Sequence, residues 1–291
     1  MPKNSNYSSL SAIFHLGKFS ISTPIAASAF TGYVMFTNHL SLSVFLPVAG
    51  VFFLASGASA LNQVQEKLTD SLMERTRYRP LPIGKLTPLQ GFLIALLLIV
   101  LGTALLFYGS RLLSAALGLL TVIWYNGIYT PLKKITAFAV FPGSMVGALP
   151  PLIGWTAAGG PIADPMILSL SFFFFIVQVP HFWIILLRNA GDYEKSGLPI
   201  LTNVFDETQI RRLSMTWIVV TAMSSILLAF GHAVNSLIAV SLIVILSIAL
   251  IFLMRKFLFE SKTRKDINRA FASLNFYVLS MMILVILDNL L

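Results

Sequence analysis

Three oxygen-bearing side chains in the first third of the chain recur at intervals of four: Asn62, Glu66 and Asp70. On a helix that spacing stacks them on one face. Two carboxylates and an amide oxygen form a hard-oxygen array of the kind that suits Mg2+, which keeps several waters and is usually shared with substrate phosphates. Directly after them come Arg75, Arg77 and Arg79, whose forked guanidiniums match phosphate oxygens. A metal-bound diphosphate needs both kinds of group. The plainer reading is a helix end with i, i+4 ion pairs and a basic cluster resting on anionic lipid, and spacing alone does not separate the two.

Two further constellations follow. Tyr129 and Lys133 are four apart around Pro131, and a phenol with an ammonium could steady a leaving diphosphate. An interfacial Tyr beside a snorkelling Lys is the ordinary alternative. Gln178 and His181 flank Pro180 inside an apolar run, where polar groups are costly unless they face a cavity. His181 could move a proton or hydrogen-bond a neighbouring helix. Arg188 and Asp192, again four apart, repeat the acid-plus-base chemistry of the first set. His15, His39 and His232 stand at helix ends and receive no role.

The elements that must position these groups are set by composition. Of 291 residues, 57% are hydrophobic and only 11% charged, with mean hydropathy +0.85. A soluble domain has about a quarter of its residues charged. Collagen-like, disordered and disulfide-scaffold classes are excluded by the Gly, Pro and Cys content, and the absence of cysteine removes thiolate chemistry. Runs long enough to cross a bilayer lie near 19–37, 41–62, 89–108, 112–130, 136–157, 166–187, 213–231, 234–254 and 269–290. With a cytoplasmic N-terminus, every one of the 20 Lys and Arg residues except Arg111 falls inside, Lys3 and Lys262 included. The acids follow, although the positive-inside rule does not require it: only Asp164 and Asp288 of the 11 fall outside. The net charge of +9 is therefore topology and no nucleic-acid signal. The fold class expected is an all-α integral membrane protein with nine transmembrane helices, N-terminus cytoplasmic and C-terminus outside. It reads as a single domain over 1–291, with cytoplasmic loops at about 63–88 and 188–212. These loops follow the second and sixth spans, an internal echo four helices apart.

The full string Asn62-x3-Glu66-x3-Asp70-x2-Met73-x-Arg75-Thr76-x2-Arg79-Pro80-Leu81-Pro82 resembles the first aspartate-rich motif of the UbiA superfamily of intramembrane prenyltransferases. Glu66 stands where much of that superfamily has Asp. Tyr129-Thr130-Pro131-Leu132-Lys133, the Pro150-Pro151 to Trp155 segment, and Pro180-His181-Phe182-Trp183 before Asp192-Tyr193 look most like its haem-farnesylating branch. The second acidic motif departs from the superfamily, because Ser196 occupies the place of its second Asp, with Glu194 the acid that could compensate. The resemblance runs over about 18–212 in motif order; the last three helices match only as apolar spans.

The resemblance implies a UbiA-type bundle and Mg2+-dependent transfer of farnesyl from farnesyl diphosphate to a vinyl group of haem B, with water, giving haem O and diphosphate. It implies that Asn62, Glu66, Asp70 and Asp192 hold Mg2+ and that Arg75, Arg79, Lys133 and Arg188 bind the diphosphate. Tyr129 and Lys133 then act in catalysis, Gln178 and His181 face the cavity, and haem iron becomes a further contact open to His181. It also raises association with haem-modifying or oxidase-assembly proteins. With no recognisable long transit segment, a bacterial cytoplasmic membrane is expected. Two alternatives stand: UbiA-type polyprenyl transfer to an aromatic quinone precursor, and a secondary transporter, which would carry its charges near the midplane.

Overall fold

The computed structural model describes residues 8–260 and 263–291, without the Glu260 side chain; Lys3 and Lys262 of the charge pattern lie outside the described residues. Every regular element among the described residues is helical. A short α1 (Ser9–Leu16) precedes α2 (Phe19–Thr37), α3 (Phe45–Gln65), the short α4 (Lys67–Leu72) and α5 (Pro88–Gly109). Then come α6 (Leu112–Ile123), a π-helical stretch Trp124–Tyr129, α7 (Thr130–Leu132), α8 (Val140–Ala158) and α9 (Pro165–Arg188). The chain ends with the short α10 (Ala190–Lys195), α11 (Glu207–Phe230), α12 (Leu237–Arg255) and α13 (Arg264–Leu290). Among the described residues, nine helical stretches are long and apolar enough to cross a membrane, with α6, the π-helical stretch and α7 counted as one. The protein is a multi-pass membrane protein.

Most expected spans and observed helices agree to within a few residues, but α11 and α13 begin at Glu207 and Arg264 rather than near 213 and 269. Hydropathy marks where lipid begins, whereas these helices begin earlier, in capped polar turns. Asp206 and Gln209 form a reciprocal capping box, and the Thr263 hydroxyl accepts from the Asp266 amide.

In the bundle, α2 packs on α3 and α8, α8 on α9, α9 on α11, and α13 closes back on α2 and α9. The α2–α8 crossing is a backbone contact: a Cβ on Gly154 would lie 1.8 Å from the Ala29 carbonyl oxygen. Such small-residue crossings provide close packing where burial from water supplies no drive. α5 and α12 are the least covered of these helices, as lipid-facing elements should be. At one end of the bundle, Lys18, Asn62, Lys133 and Glu66 converge. At the other, Asp288 accepts from the Asn235 and Ser236 amides at the start of α12.

Candidate active site

The acid array sits where α3 leaves the bundle. The expected continuous helix is interrupted at Glu66 (φ −105°, ψ 11°) before α4 resumes. Four-residue stacking nevertheless survives, because the Glu66 amide donates to Asn62 O at 2.9 Å and the Asp70 amide to Glu66 O at 2.7 Å. Asn62, Glu66 and Asp70 are 1, 9 and 4% exposed, so the three share one buried face.

Each of them is met by a cation. Lys18 Nζ donates to Asn62 Oδ1 at 3.3 Å, Lys133 Nζ lies 2.6 Å from Glu66 Oε1, and Arg79 Nη1 lies 2.6 Å from Asp70 Oδ2. Burial works to raise the Glu66 carboxyl, but the Lys133 charge and hydrogen bond, with Lys18 and Asn62, hold it below its usual range. Burial likewise opposes the Lys133 charge, and Glu66 more than compensates, keeping the ammonium above its usual value. Among the described residues Lys18 has no carboxylate at ion-pair distance, and Glu66 and Asp70 act on it only more weakly. Burial, then the nearby Arg79 and Lys133 charges, bring it down to about 7. The site therefore holds charged Glu66 and Lys133 at neutral pH.

Neighbouring elements fix this geometry. Lys18 adopts the left-handed region (φ 47°) between α1 and α2, a conformation uncommon outside glycine. Gln63 Nε2 donates to the His15 and Leu16 carbonyls at 2.9 and 2.7 Å and pins the end of α1 to α3. On the other side, the wider π-helical turn carries Asn126, which donates to Ala58 O and Gln65 Oε1, both at 3.1 Å. Gln65 returns a bond to Asn126 O at 3.0 Å, and Asn62 Nδ2 donates to Thr130 Oγ1 at 3.2 Å. Single π-turns inside helices often mark functional sites, and here the turn is bolted to the acid array.

Pro131 does not break α7: the Lys133 amide still reaches Tyr129 O at 3.1 Å. Lys133 Nζ lies 5.1 Å from the centroid of the buried Tyr129 ring. Gly143 gives that ring room, since a Cβ there would sit 2.6 Å from Tyr129 Cε2. Beside the array opens a cavity of about 340 Å³ lined by Lys18, Arg75, Tyr78, Arg79, His15 and Ser20, with Phe14 and Ile21 as its apolar wall. A lining with three cations and no carboxylate suits a polyanion.

The second loop meets the first but does not complete the acid array. Asp192 Oδ1 and Oδ2 accept from the Glu74 and Arg75 amides at 3.0 and 3.1 Å, and Lys195 pairs with Glu74 at 2.5 Å. Among the described residues no three His, Asp or Glu side chains converge as a metal-holding group. The expected fourth oxygen, Asp192, is committed to the loop backbone. Ser196 Oγ donates to Tyr193 O at 2.6 Å within its own turn. Glu194 lines a separate cavity of about 630 Å³ with Lys134 and Pro199. Arg188 is exposed and lies over the Phe271 ring of α13 at 5.4 Å, apart from the acids. Gln178 rests on Gly147, where a Cβ would lie 2.6 Å from its Nε2. His181 is half-buried, with its ring 5.0 Å from Phe271 and 6.1 Å from Phe182.

Asn62, Glu66, Asp70, Lys133 and Arg79 thus come together, with Arg75 on the adjoining cavity and Tyr129 beneath Lys133. Sequence reasoning missed Lys18, Gln65, Asn126 and Thr130. Lys18 registers in a sequence only as one more interfacial charge. Asn126 carried a usable signal, an amide inside an apolar run, the same cost that singled out Gln178. As a donor set, Asn62, Glu66 and Asp70 fit Mg2+: all are hard oxygens, Glu66 is ionised, and each now faces a cation.

The site is a set of paired acids and bases at one mouth of a helical membrane bundle. The UbiA prenyltransferase family profile matches residues 25–279, and the chain belongs to that family. It is similar to the protoheme IX farnesyltransferase of Geobacter sulfurreducens, 43% identical over 60% of this chain and 64% of that protein, which is a little under two-thirds of its length. The protoheme IX farnesyltransferase of Christiangramia forsetii is 30% identical over 98% of this chain and 96% of its own. A solved UbiA homologue from Archaeoglobus fulgidus, bound to GPP and Mg2+, shares the fold with a TM-score of 0.68 at 13% identity, over 94% of this chain and 99% of that one.

Proposed function

We propose that the protein transfers the farnesyl group of farnesyl diphosphate to a vinyl group of haem B, with water, giving haem O and diphosphate. The observation that carries this is the buried set of three oxygen–cation pairs at the mouth of α3, read with the similarity to named protoheme IX farnesyltransferases. Asn62, Glu66 and Asp70 would hold Mg2+, which when bound neutralises diphosphate charge.

Lys18, Arg79 and Lys133 then turn from the acids towards the phosphate oxygens, and Arg75 reaches the same anion from the cavity wall. These cations act most strongly as the C1–O bond breaks and its electron pair passes to the diphosphate, because that is where charge develops. Tyr129 presents a ring face beside the allylic cation, a favourable partner for positive charge. The vinyl terminus forms the new C–C bond, water adds to the resulting cation at the inner vinyl carbon, and a proton leaves. Asp192 holds the Glu74–Arg75 turn over the site. In this reading the site faces the cytoplasm of a bacterial cell, with the N-terminus on the same side and the C-terminus outside, because every Lys and Arg except Arg111 belongs to that side.

Replacing Asp70 with Asn tests the assignment. Haem O formation should fall at least about 100-fold, the scale for losing one electrostatic group in a shielded site, while circular dichroism stays helical. Undiminished turnover would overturn it.

A further inference from the structure

The proposed reaction leaves the charged turn between α12 and α13 unused. This turn lies on the same side of the bundle as the two site loops, because Arg211, near the start of α11, donates to Leu258 O at 2.9 Å. Arg211 is itself buried and paired with Glu207 at 2.5 Å, and Met254 and Leu258 are fully buried, so the turn is fastened to the bundle on its inner side. Its outer side is cationic. A π-helical stretch Lys256–Glu260 continues α12. Phe252, Arg255, Lys256 and Phe259, spaced by three and four, share one exposed face there. Arg264 and Lys265 are exposed in the first turn of α13. Among the described residues none of these four cations forms an ion pair. Asp266, the acid of that first turn, faces inward: it is buried and bonded to Thr263 and Arg269. The site loops instead meet their cations with carboxylates, as at Asp70, Glu66 and Glu74.

We propose that this turn is a docking surface for the headgroups of anionic phospholipids in the surrounding leaflet. Only 28% of the α12 span is covered by the rest of the protein, so lipid surrounds the helix and its charged end stands in the headgroup layer. The Phe252 and Phe259 rings enter the boundary with the acyl chains, and Arg255, Lys256, Arg264 and Lys265 meet the phosphates. Charge complementarity selects the occupant: four cations without carboxylate partners attract anionic lipid, and α12 fixes them at the depth where its phosphates lie. The contact also bears on the site. α13 packs on α2 and α9, and its Phe271, two turns beyond Arg264 and Lys265, carries the Arg188 guanidinium at 5.4 Å. Anionic lipid on the turn therefore steadies the α9 mouth through α13, whichever acceptor the site takes.

The test places the purified full-length protein in nanodiscs of phosphatidylcholine with a rising share of phosphatidylglycerol. Native mass spectrometry reads the lipid retained, and thermal unfolding reads the stabilisation. The wild type should retain phosphatidylglycerol over phosphatidylcholine by about tenfold or more, the scale for a few interfacial cations, and should unfold at a higher temperature as the anionic share rises. In about 1 M salt the preference should collapse, because screening then acts within about 3 Å. The quadruple variant Arg255→Gln, Lys256→Gln, Arg264→Gln, Lys265→Gln should keep a preference of about twofold or less. The two pair variants, Arg255→Gln with Lys256→Gln and Arg264→Gln with Lys265→Gln, should each fall between, at about threefold. They decide the matter if the quadruple variant does not fold. A wild type without preference, or pair variants that keep all of it, would overturn the surface. Soluble glycerol phosphate that displaces the lipid at equal concentration would also overturn it, leaving a plain phosphate site. So would an acidic protein that binds the wild type and not the pair variants while no lipid preference is seen.

Discussion

The mouths of α3 and α9 hold similar ingredients, acids and bases four residues apart, and arrange them in opposite ways. At α3 the charges are buried, each acid is paired, and the amides of Asn62, Gln65 and Asn126 tie the pairs to the π-helical turn. At α9 the corresponding groups are more open: Arg188 touches a phenyl ring, Asp192 holds the backbone of the other loop, and the Lys195–Glu74 pair is more than half exposed. Buried charge is tolerated only when it is paired, so the α3 mouth is preorganised for a small, highly charged group. The α9 mouth keeps few internal bonds and can admit a large, mostly apolar partner. In the proposed reaction these are the donor and acceptor sides.

The contrast can be broken by removing one cation from the tight side. Lys133→Met strands Glu66 without its partner, which should cost about 3–5 kcal/mol by the usual penalty for an unpaired buried charge. Thermal unfolding should show that loss, and haem O formation should fall at least about tenfold. The double change Lys133→Met with Glu66→Met should recover much of the stability and none of the activity. If the double variant works, the pair is structural.

Gly143→Ala presses a methyl group into the Tyr129 ring and should cost about 1–3 kcal/mol as overpacking, seen as a lower unfolding temperature with slower turnover. Asp192→Asn loses the charge on its two amide contacts. Its turnover should drop about three- to tenfold, on the order of one capping interaction, with faster amide exchange at Glu74 and Arg75. An effect as large as that of Asp70→Asn would instead make Asp192 a metal ligand and erase the contrast. Lys195→Met, at the exposed pair, should change turnover by about twofold or less.

What the sequence made legible follows the range of the interactions. Apolar runs announce membrane helices because the bilayer imposes a length on them. Asn62, Glu66 and Asp70 announce themselves because their relation is local, a four-residue spacing. Lys18 reaches Asn62 across 44 residues and Asn126 reaches Ala58 across 68, and no local pattern encodes either contact. α11 and α13 begin ahead of their apolar runs because capped polar turns are helical without being apolar. Asp192 fits a motif by type, yet its oxygens are directed by the turn at Glu74 and Arg75, which only tertiary packing defines. Phe271 lies in a helix that the motif resemblance covers only as an apolar span.

The identity of the acceptor defines the proposed reaction. The direct measurement is incubation of the reconstituted protein with farnesyl diphosphate and Mg2+ in the presence of both haem B and an aromatic quinone precursor, with products resolved by chromatography and mass spectrometry. The expected result is haem O with one diphosphate released for each haem consumed, and an untouched aromatic precursor. Prenylated aromatic product with haem B unchanged would contradict it.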